Sequence, residues 1–108
     1  MPKYLVHGSY TLDGVKGLVK EGGISRKTKI SNVVEHLGGK VEAFYFAFGS
    51  DDFYTIIDLP NNVSTAALSL AASAGGGLRS NIVVLLTPEE IDQATKKVNE
   101  VAYQPPGQ

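Results

Sequence analysis

Cysteine is absent from this 108-residue chain, histidine occurs only as His7 and His36, and arginine only as Arg26 and Arg79. Without cysteine there is no disulfide framework, no thiol nucleophile and no cysteine-based zinc or iron–sulfur centre. Two histidines make a dedicated metal cage an unexpected feature, so neither a metal nor another cofactor is expected. Ten basic against eleven acidic residues leave a formal charge of −1, which removes the electrostatic case for nucleic acid. No apolar run approaches the roughly 18 residues of a membrane span, and the segment around Lys3–Tyr10 lacks the long apolar region of a secretory leader. The expectation is a cytoplasmic protein that engages neither membrane nor nucleic acid. What is abundant is apolar side chain, 43% of the residues, enough for one domain of this length to build a core.

The segment Lys3–Tyr10 is apolar and aromatic without helical spacing and reads as a first strand. Thr11-Leu12-Asp13 carries N-cap chemistry for a helix. Val15, Leu18 and Val19 mark its apolar face, and Ile30, Val33, Val34 and Leu37 recover that phase about eleven residues later, three helical turns on. Gly22-Gly23 predicts a kink or break between the halves, and Gly38-Gly39 predicts the end of the helix. Val41–Phe48 and Phe53–Leu59 are the next strands, joined by a hairpin at Gly49-Ser50-Asp51-Asp52. Pro60-Asn61-Asn62 caps an alanine-rich helix over Val63–Ala74, stopped by Gly75-Gly76-Gly77, and Asn81–Leu86 is the fourth strand. Thr87-Pro88-Glu89-Glu90 opens a last helix with cap, proline and capping-box glutamate in place. Its expected buried stripe is Ile91, Ala94, Thr95, Val98 and Ala102. Residues 1–103 therefore read as a single domain, and 104–108 as a flexible, proline-rich tail.

This order of elements predicts an α+β fold of the ferredoxin-like βαββαβ kind with a C-terminal helix: a four-stranded antiparallel sheet with helices on one face. Such a sheet should alternate apolar and polar residues. The second strand does not, with Val41, Ala43, Tyr45 and Ala47 on one parity and Phe44, Phe46 and Phe48 on the other. The third and fourth strands are likewise apolar on both parities. Leaving four large side chains per face in water forfeits roughly 6–12 kcal/mol, comparable with the stability of a whole domain. A second copy covering that face is the expected solution, giving a homodimer or a larger assembly of the same chain.

Several pieces resemble a known family: the opening Met1-Pro2-Lys3-Tyr4, the helix exit Leu37-Gly38-Gly39-Lys40, Phe44-Tyr45, Phe48-Gly49, Asp52, the Leu59-Pro60 turn and Gly77-Leu78-Arg79. Over about residues 1–92 the chain is similar to the GYD-domain family, small bacterial proteins of the dimeric α+β barrel type. The family's glycine–tyrosine–aspartate element falls on Gly49, Asp51 and Asp52, with Asp51 where the family has tyrosine. The resemblance implies the fold and a dimeric barrel, and no particular chemistry.

His7 is the candidate catalytic group. It shares a strand parity with Leu5 and Ser9, and an imidazole there suits a general base or an orienting donor. It fits equally well as a satisfied, partly buried histidine. Ser9, Arg26, Tyr54, Asp58 and Arg79 are candidate ligand-binding residues. Tyr54 and Asp58 share a parity on the third strand, and Arg79 follows a triple glycine that could leave backbone amides free for an anion. Asp52, at the hairpin exit, is expected to cap backbone amides. The first helix is basic through Lys16, Lys20, Arg26, Lys27 and Lys29, a pattern usual for a solvated face. The function expected is a small-molecule binding or sensing module with an apolar aromatic pocket. The alternatives are a cofactor-independent monooxygenase- or isomerase-like enzyme using His7, and a purely structural or partner-binding oligomer.

Overall fold

The computed structural model describes residues 1–108. Strand β1 spans Lys3–Tyr10, and its even residues Tyr4, Val6 and Gly8 are buried while its odd residues are only partly covered. Helix α1, Leu12–Glu21, starts at Thr11, whose hydroxyl accepts from the Gly14 amide at 3.2 Å. Gly22 then takes φ +86°, a conformation that suits glycine, and α2 runs from Gly23 to His36. The break predicted at Gly22-Gly23 is therefore present. At the far end the Gly38 amide donates to the Glu35 carbonyl at 2.9 Å and Gly39 to Val34 at 3.0 Å, the paired bonds of a Schellman stop.

Strands β2, Lys40–Phe46, and β3, Phe53–Asp58, form the hairpin. Helix α3, Asn62–Ala74, is capped by the Asn61 side chain, which accepts from the Ser64 amide at 2.9 Å. Strand β4, Leu78–Leu85, begins three residues earlier than expected, because Leu78, Arg79 and Ser80 pair with Tyr10, Ser9 and Gly8 of β1. Pairing across the sheet overrides the local effect of the preceding glycines. Helix α4, Pro88–Lys97, carries both bonds of its capping box, Glu90 amide to Thr87 Oγ1 and Thr87 amide to Glu90 Oε1. A 3-10 turn over Val98–Glu100 follows.

The strands pair antiparallel throughout in the order β2-β3-β1-β4, the arrangement expected of a ferredoxin-like fold. Helices α1, α2 and α3 pack on one face. Tyr4, Val6, Val34, Phe53, Ile57 and Leu59 form the buried core between the layers. No helix is long and apolar enough to cross a membrane.

Two expectations are corrected. The strict parity read for β2 fails at a bulge between Val41 and Ala43. The extra residue lets Val41, Phe44 and Phe46 all lie opposite Ile57, Thr55 and Phe53 on the helix side. Ala43 and Tyr45 are left on the open side, and Phe48 lies beyond the strand, fully exposed. The stripe on α4 is not buried within the chain. Ile91, Ala94, Thr95, Val98 and Ala102 are exposed, as is every residue from Pro88 to Gln108. The C-terminal segment projects from the body, so the radius of gyration is 17.2 Å and the longest extent 55 Å, against about 13 Å expected for a compact chain of ~100 residues.

Candidate functional site

The sheet separates two clusters of functional side chains. On the open face, the register sets His7 against Tyr54 of β3 and Asn81 of β4, and Ser9 against Arg79. The hairpin loop folds back over this end of β1. The Asp52 amide donates to the Gly8 carbonyl at 2.7 Å, Asp52 Oδ2 accepts from the Tyr10 amide at 2.9 Å, and Ser9 Oγ donates to the Ser50 carbonyl at 3.1 Å. Asp52 therefore has the capping role expected of it. The same fold-back delivers Asp51 to His7, with His7 Nδ1 2.5 Å from Asp51 Oδ2. The imidazole stacks on the Tyr54 ring, centroids 5.8 Å apart and planes 12° from parallel. A carboxylate that accepts from Nδ1–H leaves Nε2 as the free acceptor, the arrangement by which a histidine takes up a proton.

Asp51 is the residue that sequence reasoning missed as a partner for His7. Forty-four positions separate the two, and only the fold-back of the β2–β3 loop over β1 brings them together. Asp58 lies at the opposite end of the strand pair. It accepts from Lys3 Nζ at 2.9 Å, and Lys40 Nζ stands 3.8 Å away. Lys3 also donates to Glu42 at 3.0 Å. These contacts, Asp58 first and Glu42 second, raise the Lys3 pKa above its ordinary value. Asp58 therefore anchors an ion cluster about four residues along β1 from His7, roughly 13 Å at strand rise. Between the two ends the open face is apolar: Leu5, Ala43, Tyr45, Ile56, Val83 and Leu85.

On the other face, between sheet and helices, lies a narrow apolar slot of about 50 Å³ walled by Val6, Ile30, Phe44, Phe53, Leu68 and Ile82. Beside it a groove of about 320 Å³ runs between α1 and α3, along Gly14, Gly17, Leu18, Ala71 and Gly75. Tyr10, Arg26, Ala72 and Leu78 line both spaces and form the wall they share. Burial pushes the Tyr10 phenol above its usual pKa, and the neighbouring Arg26 guanidinium works against that rise. Of the six residues predicted to form a site, only Arg26 borders this cavity. His7, Ser9, Tyr54, Asp58 and Arg79 all belong to strands on the open side. Arg26 and Tyr10 are the polar groups common to both spaces, where the sequence pointed to His7, Tyr54 or Arg79.

No group of three or more histidine or acidic side chains converges as a metal cage would. A family model described as GYD domain matches residues 4–95, and no curated protein matches the chain.

Proposed function

The chain belongs to the GYD-domain family, and from that premise we propose that it is a small-molecule binding module that works as a homodimer. The observation that carries the reading is the slot and the groove that share a wall on the helix side. Apolar walls open past one guanidinium and one phenol, the composition typical of ligand pockets. The slot alone is smaller than the roughly 150 Å³ that accepts a benzene-sized guest, whereas the groove exceeds it. A ligand would lay its body in the groove and one narrow apolar end in the slot. The open sheet face, with Tyr45, Val83 and Tyr54 exposed at 70%, 43% and 39%, supports self-association rather than ligand capture. It is a broad apolar surface flanked by ion pairs, the kind of patch that marks an interface.

Thermal melting against a panel of apolar and amphipathic small molecules tests the reading. A ligand at 100 times its dissociation constant should add about 2.7 kcal/mol. Flat melting curves across the panel, or shifts that survive plugging of the slot by Leu68→Trp, would remove it.

A second reading is favoured by one specific contact, the His7–Asp51 pair stacked on Tyr54. It supports a cofactor-independent proton-transfer activity on the open face, with Nε2 as the base. Turnover that is unchanged in His7→Ala would dispose of that alternative.

A further inference from the structure

Resting on the cavity reading above, we infer that the ligand is an amphipathic monoanion, a carboxylate carried on a short apolar chain or ring, and that Arg26 is the residue that selects it. Arg26 is the only cation bordering either the slot or the groove. It is partly buried, yet none of the ion pairs in the molecule includes it. An incompletely solvated guanidinium without a carboxylate partner is a costly arrangement that a bound anion relieves, since its planar fork matches a carboxylate with two parallel bonds.

The single acid in the groove does not fill that role. Glu21 is held by Lys29 Nζ at 3.0 Å and by the Ser25 hydroxyl at 3.0 Å. Those contacts, Lys29 foremost, hold its carboxyl below the usual range. Arg26 also lies close enough to act on Glu21, and it hydrogen-bonds the Tyr10 phenol, but two cations share the one carboxylate, so Arg26, Lys29 and Glu21 together keep one net positive charge. The Tyr10 phenol beside Arg26 stays protonated, because burial raises its pKa, and so offers an O–H donor to the same headgroup. The remaining walls are mostly aliphatic, aromatic or glycine, with the hydroxyls of Thr55, Ser69 and Ser80 among them, and they offer chiefly apolar contact to the rest of the ligand. One surplus charge fits a monoanion better than a dianion, and the 50 Å³ slot limits the apolar end to something slender.

The test is an NMR titration of the ¹⁵N-labelled full chain with octanoate and, separately, with octanamide, its neutral counterpart of the same length. Charge-assisted bonds to Arg26 should make octanoate bind at least about tenfold more tightly, with shifts centred on Tyr10, Arg26 and Ala72. Arg26→Gln should erase that preference, bringing the two affinities to within about twofold of each other. Leu68→Trp should weaken both ligands by filling the slot, and Ala72→Trp is a second plug on the same wall if the first fails to fold. Equal affinities in the unaltered chain, with both ligands still lost on plugging, would overturn the anion inference and leave the cavity reading intact. Absence of shifts with either ligand, or shifts indifferent to both plugs, would overturn the cavity reading and this inference with it.

Discussion

Asp51 shows how one side chain changes the meaning of another. Alone on a strand, His7 is an ordinary half-covered imidazole. With Asp51 Oδ2 at Nδ1 and Tyr54 beneath the ring, its rotation and tautomer are both fixed, and Nε2 has a defined direction. Asp51→Asn removes the charge that holds Nδ1–H. The expected outcome is a His7 side chain whose ¹⁵N resonances report a mixture of tautomers in place of one, with the fold unchanged. Identical ring ¹⁵N shifts in the variant would show that the carboxylate does not orient the ring. Glu21 supplies a second residue-level test. The Lys29 ammonium, above all, holds its carboxyl below the ordinary glutamate value of 4.5. A depressed carboxyl contributes stability above its unfolded pKa, and that contribution is lost as pH falls through the lower folded value. Lys29→Met should therefore move the Glu21 titration, followed by carboxyl NMR, upward toward 4.5. An unmoved midpoint would show that Lys29 is not the cause.

Among the elements, α1 is positioned by a close approach. A Cβ built on Gly14 would lie 1.8 Å from the Gly77 carbonyl oxygen, while one built on Gly17, one turn on, meets nothing within 4 Å. Helix α1 is tied at that end to the turn before β4, through the Thr11 amide to Gly77 oxygen bond at 3.0 Å and the Thr11 hydroxyl to Gly76 oxygen bond at 2.9 Å. Gly14→Ala must therefore push the helix away from the turn and should cost about 1–3 kcal/mol, the range for forced overpacking. Gly17→Ala should instead stabilise by about 0.5–1 kcal/mol, because alanine orders a helix interior more readily. Urea denaturation of both variants checks the pair, and equal destabilisation would contradict the geometry.

What could be read along the chain at this scale was whatever local chemistry decides. Thr87, Pro88 and Glu90 announce α4, Gly38 and Gly39 announce the end of α2, and Gly22 announces the break before it. The features that escaped are those set by distant partners. The bulge at Glu42 exists because β2 must match β3, β4 begins at Leu78 because β1 offers Tyr10 as a neighbour, and Asp51 reaches His7 because the hairpin loop folds back on β1. Arg26 was legible as one of two arginines, but its place against the slot depends on how α2 turns over the sheet. The burial of α4 was misjudged for the same reason, since an amphipathic stripe states what a helix would cover and not which chain supplies the surface.

For the whole molecule, the sheet is a partition. Helices α1, α2 and α3 close one side around the slot and groove, and nothing in the chain closes the other. Leu5, Ile56, Val83 and Leu85 stand in the middle of that open side, between the His7–Asp51 pair at one end and the Lys3–Asp58–Glu42 cluster at the other. The projecting C-terminal segment, with Ile91 of α4 and Val98 of the 3-10 turn exposed at 45% and 64%, adds a second apolar surface without a partner in its own chain. Face-to-face packing of two sheets accommodates both features. In the homodimer proposed above, the open faces would be buried against each other and each α4 would have a neighbouring body to cover it; a stable interface of that kind takes about 1,200–2,000 Å² in total. Val83→Glu would set a charge in the centre of that contact without touching the cavity side. It should split the dimer while leaving ligand-induced shifts at Arg26 in place.

The most direct measurement is the mass in solution by light scattering at micromolar concentration. Twice the 11.5 kDa of one chain, falling to a single chain in Val83→Glu, is the expected result. A mass of 11.5 kDa for the unaltered protein, with the apolar sheet face left in water, would contradict it.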